Sequence, residues 1–281
     1  MQDKVVYILM LPGPFKSSEE LVERAGLIAY TAKENHAKKV VLLTTDFPSA
    51  RQDRGPDEDE KARGEPTTVR WRARQFKAAG IDEVITTHEH SPRISSFFAL
   101  EYGLIPKDWL SEEARGLKPE QVKVPVHLSP SNAEIQQLGR KVFKSINPYS
   151  ILADYLLHHS SLAKEASIFR NEGERLVLKA MDKGNRAFID NLYSALFMKN
   201  ASLIYCNKAR TAKNDPKAVE VTIADVSPNF TTLENKIEIY ADDGLDTGGT
   251  MLKAGEWSDK GNYCANGKRS YGVPSDRIMY F

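Results

Sequence analysis

Short apolar runs alternate with longer amphipathic segments along the first third of the chain, at residues 5–11, 18–35, 40–44, 67–79 and 83–85. This is the rhythm of strand, helix, strand, and it restricts the chain to an α/β fold in which amphipathic helices cross between parallel strands. Ser17 or Ser18, followed by Glu20 and Leu21, starts the first helix, with Leu21, Ala25, Ile28 and Ala32 expected on one buried face. A second set begins after the Asn147-Pro148 break: helix at 148–159, strand at 175–179, helix at 185–197, then strands at 202–206, 219–224, 236–240 and 278–281. The apolar spacing over 149–157 is that of a core face.

With 281 residues, 41% of them hydrophobic, the chain is long enough for two domains with substantial cores. The expected division is 1–144 and 145–281, each with a central, mainly parallel sheet flanked by helices and with ligands at the carboxyl ends of the strands. Charge is balanced, 39 Lys and Arg against 38 Asp and Glu, which gives no general reason to expect a nucleic acid or an anionic membrane as partner. Arg70-Trp71-Arg72-Ala73-Arg74 mixes cations with an aromatic as RNA-binding surfaces do, but it also fits one amphipathic helix. Two cysteines, Cys206 and Cys264, are too few for a disulfide framework, and no signal-peptide pattern or long uncharged apolar run opens the chain. A soluble protein of the reducing cytoplasm is the expectation.

The segment Tyr240-Ala241-Asp242-Asp243-Gly244-Leu245-Asp246-Thr247-Gly248-Gly249-Thr250 joins a strand to a predicted helix start. Helix N-termini present unpaired N–H groups that attract phosphate. Gly248 and Gly249 permit close backbone approach, Thr247 and Thr250 can donate hydroxyl hydrogen bonds, and Asp242 and Asp243 suit the vicinal hydroxyls of a sugar. A capped acidic turn is the alternative for such a run.

This segment resembles the phosphoribosyl-binding loop of the type I phosphoribosyltransferase fold, and the chain as a whole resembles the ribose-phosphate pyrophosphokinases. Further stretches agree in order. Arg51-Gln52-Asp53-Arg54 is similar to the family's ATP-site segment, the strand ending in His88-Glu89-His90 to its ATP/Mg²⁺-associated histidine at His90, and Lys208-Ala209-Arg210 to the start of its catalytic flexible loop. Asp182, in Met181-Asp182-Lys183-Gly184-Asn185, matches the family's metal-associated aspartate, with one glycine of the family loop replaced. The chain lacks a counterpart to the family's opening strand, helix and hairpin, and the segment 99–146 is longer than the usual connection; such an insertion is expected to form a wall, a lid or an interface.

On its own spacing, His88-Glu89-His90 puts two imidazoles on one side of an extended strand, but it lacks the helical spacing of a zinc motif and no third ligand is apparent. Arg51 and Arg54 follow a strand and suit a triphosphate, with surface charge as the alternative. Asp182 is otherwise read as a helix cap, and residues 208–217 as a polar loop or a solvated hairpin connection.

The resemblance implies two phosphoribosyltransferase-like domains: an ATP-side domain, 1–144, carrying the insertion 99–146, and a phosphoribosyl-binding domain, 145–281. It implies transfer of the diphosphoryl group of ATP to the anomeric hydroxyl of a 5-phosphorylated ribose, with AMP leaving and Mg²⁺ as cofactor. Lys208 and Arg210 would be catalytic; Arg51, Gln52, Arg54 and His90 would bind ATP; His90 and Asp182 would bind metal. Asp242, Asp243, Asp246, Thr247, Gly248, Gly249 and Thr250 would hold the ribose phosphate. Ribose 5-phosphate is the family's usual acceptor; a divergent, phage-associated branch uses ADP-ribose in rebuilding NAD. A homo-oligomer is expected. A phosphoribosyltransferase and a catalytically silent regulatory homologue are the other readings.

Overall fold

The computed structural model describes residues 2–11, 17–53, 66–110, 115–118, 132–164, 170–210, 219–242, 262–265, 268–271 and 277–280, the last three as backbone alone. The chain divides into two compact units, Met1–Asn147 and Pro148–Phe281.

In the first unit, β1 (Val5–Met10), β2 (Lys39–Thr44), β3 (Glu83–Thr86) and β4 (Phe143–Ser145) form a parallel sheet in that order. Between them lie α1 (Ser18–Glu34), α2 (Thr68–Ala78), α3 (Arg93–Glu101) and α4 (Asn132–Gly139). Ser17 caps α1, its Oγ accepting from the Glu20 N–H at 3.2 Å. The buried face of α1 differs from the expected one: Val22, Ala25, Ala29 and Ala32 face the core, Leu21 is half-buried and Ile28 is exposed. Three alanines on that face let the helix lie close to the sheet, and the larger Ile28 turns outward.

Helices and sheet enclose one core, in which Ile8, Met10, Val40, Leu42 and Val84 meet an aromatic cluster. Phe47 and Phe98 both contact Phe143, at ring-centroid distances of 5.1 and 4.8 Å. The insertion 99–146 thus proves to be structural in its described part: it contributes β4 to the sheet, and Ile135 of α4 packs on Ala99 and Leu100. Phe143 is buried in the main aromatic cluster, whereas Ile135 is buried with Ala99, Leu100 and Ile105 in a smaller cluster made of the segment's own residues.

The basic, aromatic helix α2 resolves as the amphipathic alternative. Glu101 of α3, 3% exposed, accepts from Arg70 Nε at 2.6 Å and from Arg74 at 3.1 Å, while Arg72 is buried between Glu19 and Gln75. These cations join helices. The sheet face away from the helices carries Val5, Tyr7 and Leu9 of β1, all exposed, beside an ion cluster in which Glu83 receives Lys39 and Lys144. Burial pushes the Glu83 carboxyl up, but the two ammonium groups outweigh it and hold it below its ordinary value.

The second unit opens with α5 (Tyr149–Asp154), which continues as a π-helical turn at Tyr155–His159. The expected core face over 149–157 is only partly seen: Ala153 and Leu156 are buried, whereas Ile151 and Tyr155 are exposed. One flank of the helix packs inward, with the Tyr149 ring 5.2 Å from that of Phe188, and the π turn shifts the phase beyond Asp154. Next come β5 (Leu176–Ala180), α6 (Arg186–Leu196), β6 (Ser202–Arg210), β7 (Val219–Val226) and β8 (Ile237–Tyr240). Strands β9 (Asn262–Ala265) and β10 (Lys268–Tyr271) pair antiparallel with each other, and β11 (Arg277–Tyr280) completes a five-stranded sheet of order β11-β8-β5-β6-β7. All its pairings are parallel except β6 with β7. Among the described residues no helix is long and apolar enough to cross a membrane.

Candidate functional site at the carboxyl ends of β5 and β8

From β5 the chain passes through α6 to β6 on one side, while β8 and then β11 extend the sheet on the other. The strand order therefore reverses between β5 and β8. At such a reversal the loops beyond the strand ends diverge and leave a crevice, the usual ligand position in open α/β sheets. In the first unit the order runs straight from β1 to β4, with no reversal among the described strands.

The loops that leave β5 and β8 each carry one of the sequence-predicted residues. Asp182 follows β5 and Asp242 follows β8, and both are half-buried. Asn185, at the N-terminus of α6, links them. Its backbone N–H donates to Asp182 Oδ1 at 3.1 Å, and its Nδ2 donates to Asp242 Oδ1 at 2.6 Å and to the Ala241 carbonyl at 2.9 Å. Asp182 does not cap α6, whose N-cap residue is Asn185 and which has no side-chain cap hydrogen bond; its carboxylate instead closes the turn that leads into the helix. Residues 243–250, including Asp243, Asp246, Thr247, Gly248, Gly249 and Thr250, lie outside the described residues.

Beneath the two loops the sheet contains charge. Lys179 of β5 contacts Glu238 of β8 at 2.6 Å and donates to the Tyr240 hydroxyl at 2.9 Å, and that hydroxyl donates to Glu238 at 2.8 Å. All three side chains are buried, and the strand pairing sets Lys179 opposite Tyr240. Burial pushes the nearby Cys206 thiol up to about 11, opposed by Lys179 and reinforced by Glu238 and Asp182, so it is a protonated packing group at neutral pH. Next to this set, α6 is fastened to β6: Tyr205 donates to Asp190 at 2.5 Å and the Arg186 guanidinium lies 4.0 Å from the Tyr205 ring centre.

Lys208 and Arg210 do not open a loop. They occupy the last positions of β6, where Lys208 pairs with Val221 and Arg210 with Val219 in the antiparallel ladder with β7. The hairpin alternative holds for these residues, because the β7 ladder carries the extended backbone past Cys206, where the predicted strand ended. Lys208 is half-buried. Since β6 runs parallel to β5, it lies toward the same end of the sheet as Asp182.

In the first unit, Arg51 and Gln52 lie exposed in a turn after β2, where the Gln52 N–H donates to the Ser49 carbonyl at 2.9 Å and the Gln52 carbonyl accepts from Val69 at the start of α2 at 3.3 Å. Arg54 lies outside the described residues. β3 ends at Thr86, so His88 and His90 are in the following loop and the strand alternation expected to align them does not apply. His90 is exposed, and Glu89 between them turns inward to accept from the Ser95 N–H at 3.2 Å. Thr87 Oγ1 donates to the Thr45 carbonyl at 2.6 Å and fastens the two loops together. His90 and Asp182, the sequence-predicted metal ligands, belong to different units. Among the described residues no group of three or more His, Cys, Asp or Glu could hold a metal ion.

Sequence reasoning missed Asn185, Lys179 and Glu238 as parts of the site. The available signal was a Lys and a Glu inside otherwise apolar strands, and an Asn directly after Gly184.

No family model matches the chain, and no curated protein matches it. Among solved structures, the phosphoribosylpyrophosphate synthetase from Mycobacterium smegmatis is similar, with a TM-score of 0.60 and 16% identity over 99% of this chain. The fold resembles that of this synthetase. The chain spans 64% of the synthetase's length.

Proposed function

We propose that the protein moves the diphosphoryl group of ATP to the anomeric hydroxyl of a 5-phosphorylated ribose, either ribose 5-phosphate or ADP-ribose. The observation that carries this reading is the meeting of Asp182 and Asp242 across Asn185 at the strand-order reversal of the second sheet. The fold likeness to a phosphoribosylpyrophosphate synthetase supports it. In the reaction the anomeric oxygen bonds to the β-phosphorus and loses its proton, the bond from that phosphorus to the oxygen bridging to the α-phosphorus breaks, and AMP leaves.

The donor set suits Mg²⁺: two half-buried carboxylates offer hard oxygens, and Mg²⁺ is commonly held by one or two carboxylates together with substrate phosphates. Asp182 and Asp242 would hold it in the second unit, with His90 on the ATP side. Bound there, the ion would neutralise charge on the phosphate oxygens. Asp242 and Asp243 would orient the ribose hydroxyls, residues 246–250 would take the 5-phosphate, and Arg51, Gln52 and Arg54 would grip the triphosphate. Lys208 and Arg210 would offset charge developing on the transferred group, so that alignment and fixed electrostatics supply most of the acceleration. A homo-oligomer in the cytoplasm belongs to the same proposal.

The test is an ATP/Mg²⁺ assay of AMP release with ribose 5-phosphate and, separately, ADP-ribose, with the product identified by mass. AMP with a 1-diphosphorylated sugar is the expected result, and the faster acceptor names the substrate. No AMP from either sugar would overturn the reading in favour of a base-dependent phosphoribosyltransferase or a regulatory protein.

A further inference from the structure

Asn185 takes no part in the transfer chemistry, yet it spans both carboxylate loops. Its amide group has two hydrogens, and the structure uses them on two acceptors of the same loop, Asp242 Oδ1 and the Ala241 carbonyl. Its backbone N–H is committed to the opposite loop through Asp182 Oδ1. The residue is 5% exposed, and its own Oδ1 is buried with no hydrogen-bond partner. A buried acceptor left without a donor opposes folding, so stability alone does not account for a carboxamide here.

The chemistry of the alternatives is informative. A carboxylate in this place would set a second anion against Asp242, and a lysine would cancel the charge that a cation or a pair of sugar hydroxyls requires. A serine has one hydrogen for two acceptors. Only a short carboxamide orients Asp242, supplies both donors and stays neutral.

We propose that Asn185 is the positioning residue of this site: it fixes the rotation of the Asp242 carboxylate and its place relative to Asp182, and thereby sets the affinity for a divalent cation. The inference rests on the reading of the two aspartates as ligand-holding groups. It assigns Asn185 a role exerted through Asp242.

The test is titration of the full chain with Mn²⁺, followed by electron paramagnetic resonance, for the wild type, Asn185→Ser, Asn185→Gln, Asp242→Asn and the Asn185→Ser/Asp242→Asn pair. Loss of a group that orients a metal ligand weakens metal binding by about 10- to 100-fold. The expected result is a weakening in that range for Asn185→Ser, and no further weakening when the same change is made in the Asp242→Asn background. Unchanged affinity, an equal further loss in that background, or absence of Mn²⁺ binding by the wild type would overturn the inference. Asn185→Gln keeps both donors but displaces them by one methylene; if the serine protein does not fold, wild-type affinity in the glutamine protein overturns the inference and weakened binding upholds it. A wild type that binds Mn²⁺ with these dependences but releases no AMP would remove the proposed reaction and leave the positioning role standing. AMP release with an Asn185→Ser titration like the wild type would do the reverse.

Discussion

Lys179 and Glu238 form an ion pair of 2.6 Å between neighbouring parallel strands, with both side chains buried and the Tyr240 hydroxyl bonded to each. Such a pair gains little over a well-packed apolar substitute, because both charges lose their hydration, but removing one partner strands the other. Lys179→Met should therefore destabilise the second unit by roughly 3–5 kcal/mol. The double change Lys179→Met/Glu238→Gln should recover a large part of that loss. Urea unfolding followed by hydrogen exchange of β5 and β8 amides checks both. Additive losses would show that the two side chains do not interact in solution.

Glu83 gives the first unit a pH dependence of known sign. Its folded-state pKa lies below the ordinary 4.5, so its stabilising contribution is complete above that value and is lost as pH falls through the lower, folded value. Lys39 has a folded pKa raised above 10.5 by its hydrogen bond to Glu83, so its contribution is complete below 10.5 and is lost as pH rises through the folded value. Glu83→Gln should flatten the acid limb of unfolding below the ordinary carboxylate value of 4.5. Amide exchange in β2 and β3 across that range is the measurement.

Gly139 ends α4 with no room for a side chain. A Cβ there would lie 1.7 Å from the Ser95 carbonyl oxygen of α3, a backbone atom that cannot rotate away. Gly139→Ala should destabilise the first unit by about 1–3 kcal/mol or more through forced separation of α3 and α4. Thermal unfolding detects it, and a neutral result would mean that the two helices sit further apart.

For the proposed reaction, Lys208→Ala should lower turnover by roughly a hundredfold or more while nucleotide affinity changes little. Comparable losses in kcat and in ATP binding would remove the catalytic assignment and leave Lys208 as a binding group.

The alternation of apolar and amphipathic segments was enough to read most elements to within a few residues, because their strands lie between Gly, Pro or polar turns and helices such as α1 and α6 bury one face. Strand β6 exceeded its apolar run since the β7 ladder, a tertiary partner, extends it through Asn207, Lys208 and Arg210. Helix α3 went unread because nearly its whole surface is buried, which removes the amphipathic contrast on which recognition depends. At the site, Asp182 and Asp242 were legible from their position after strands. Asn185 was not, since its importance lies in a contact 57 residues away in sequence that local pattern does not encode.

Among the described residues each hydrophobic cluster lies wholly within one unit: those around Phe98 and Ile135 in the first, those around Leu178 and Tyr240 in the second. Each cluster is its own packing unit, so a substitution inside one acts first on the elements that share it. Amide exchange should therefore report each substitution above most strongly in the strands and helices of its own cluster.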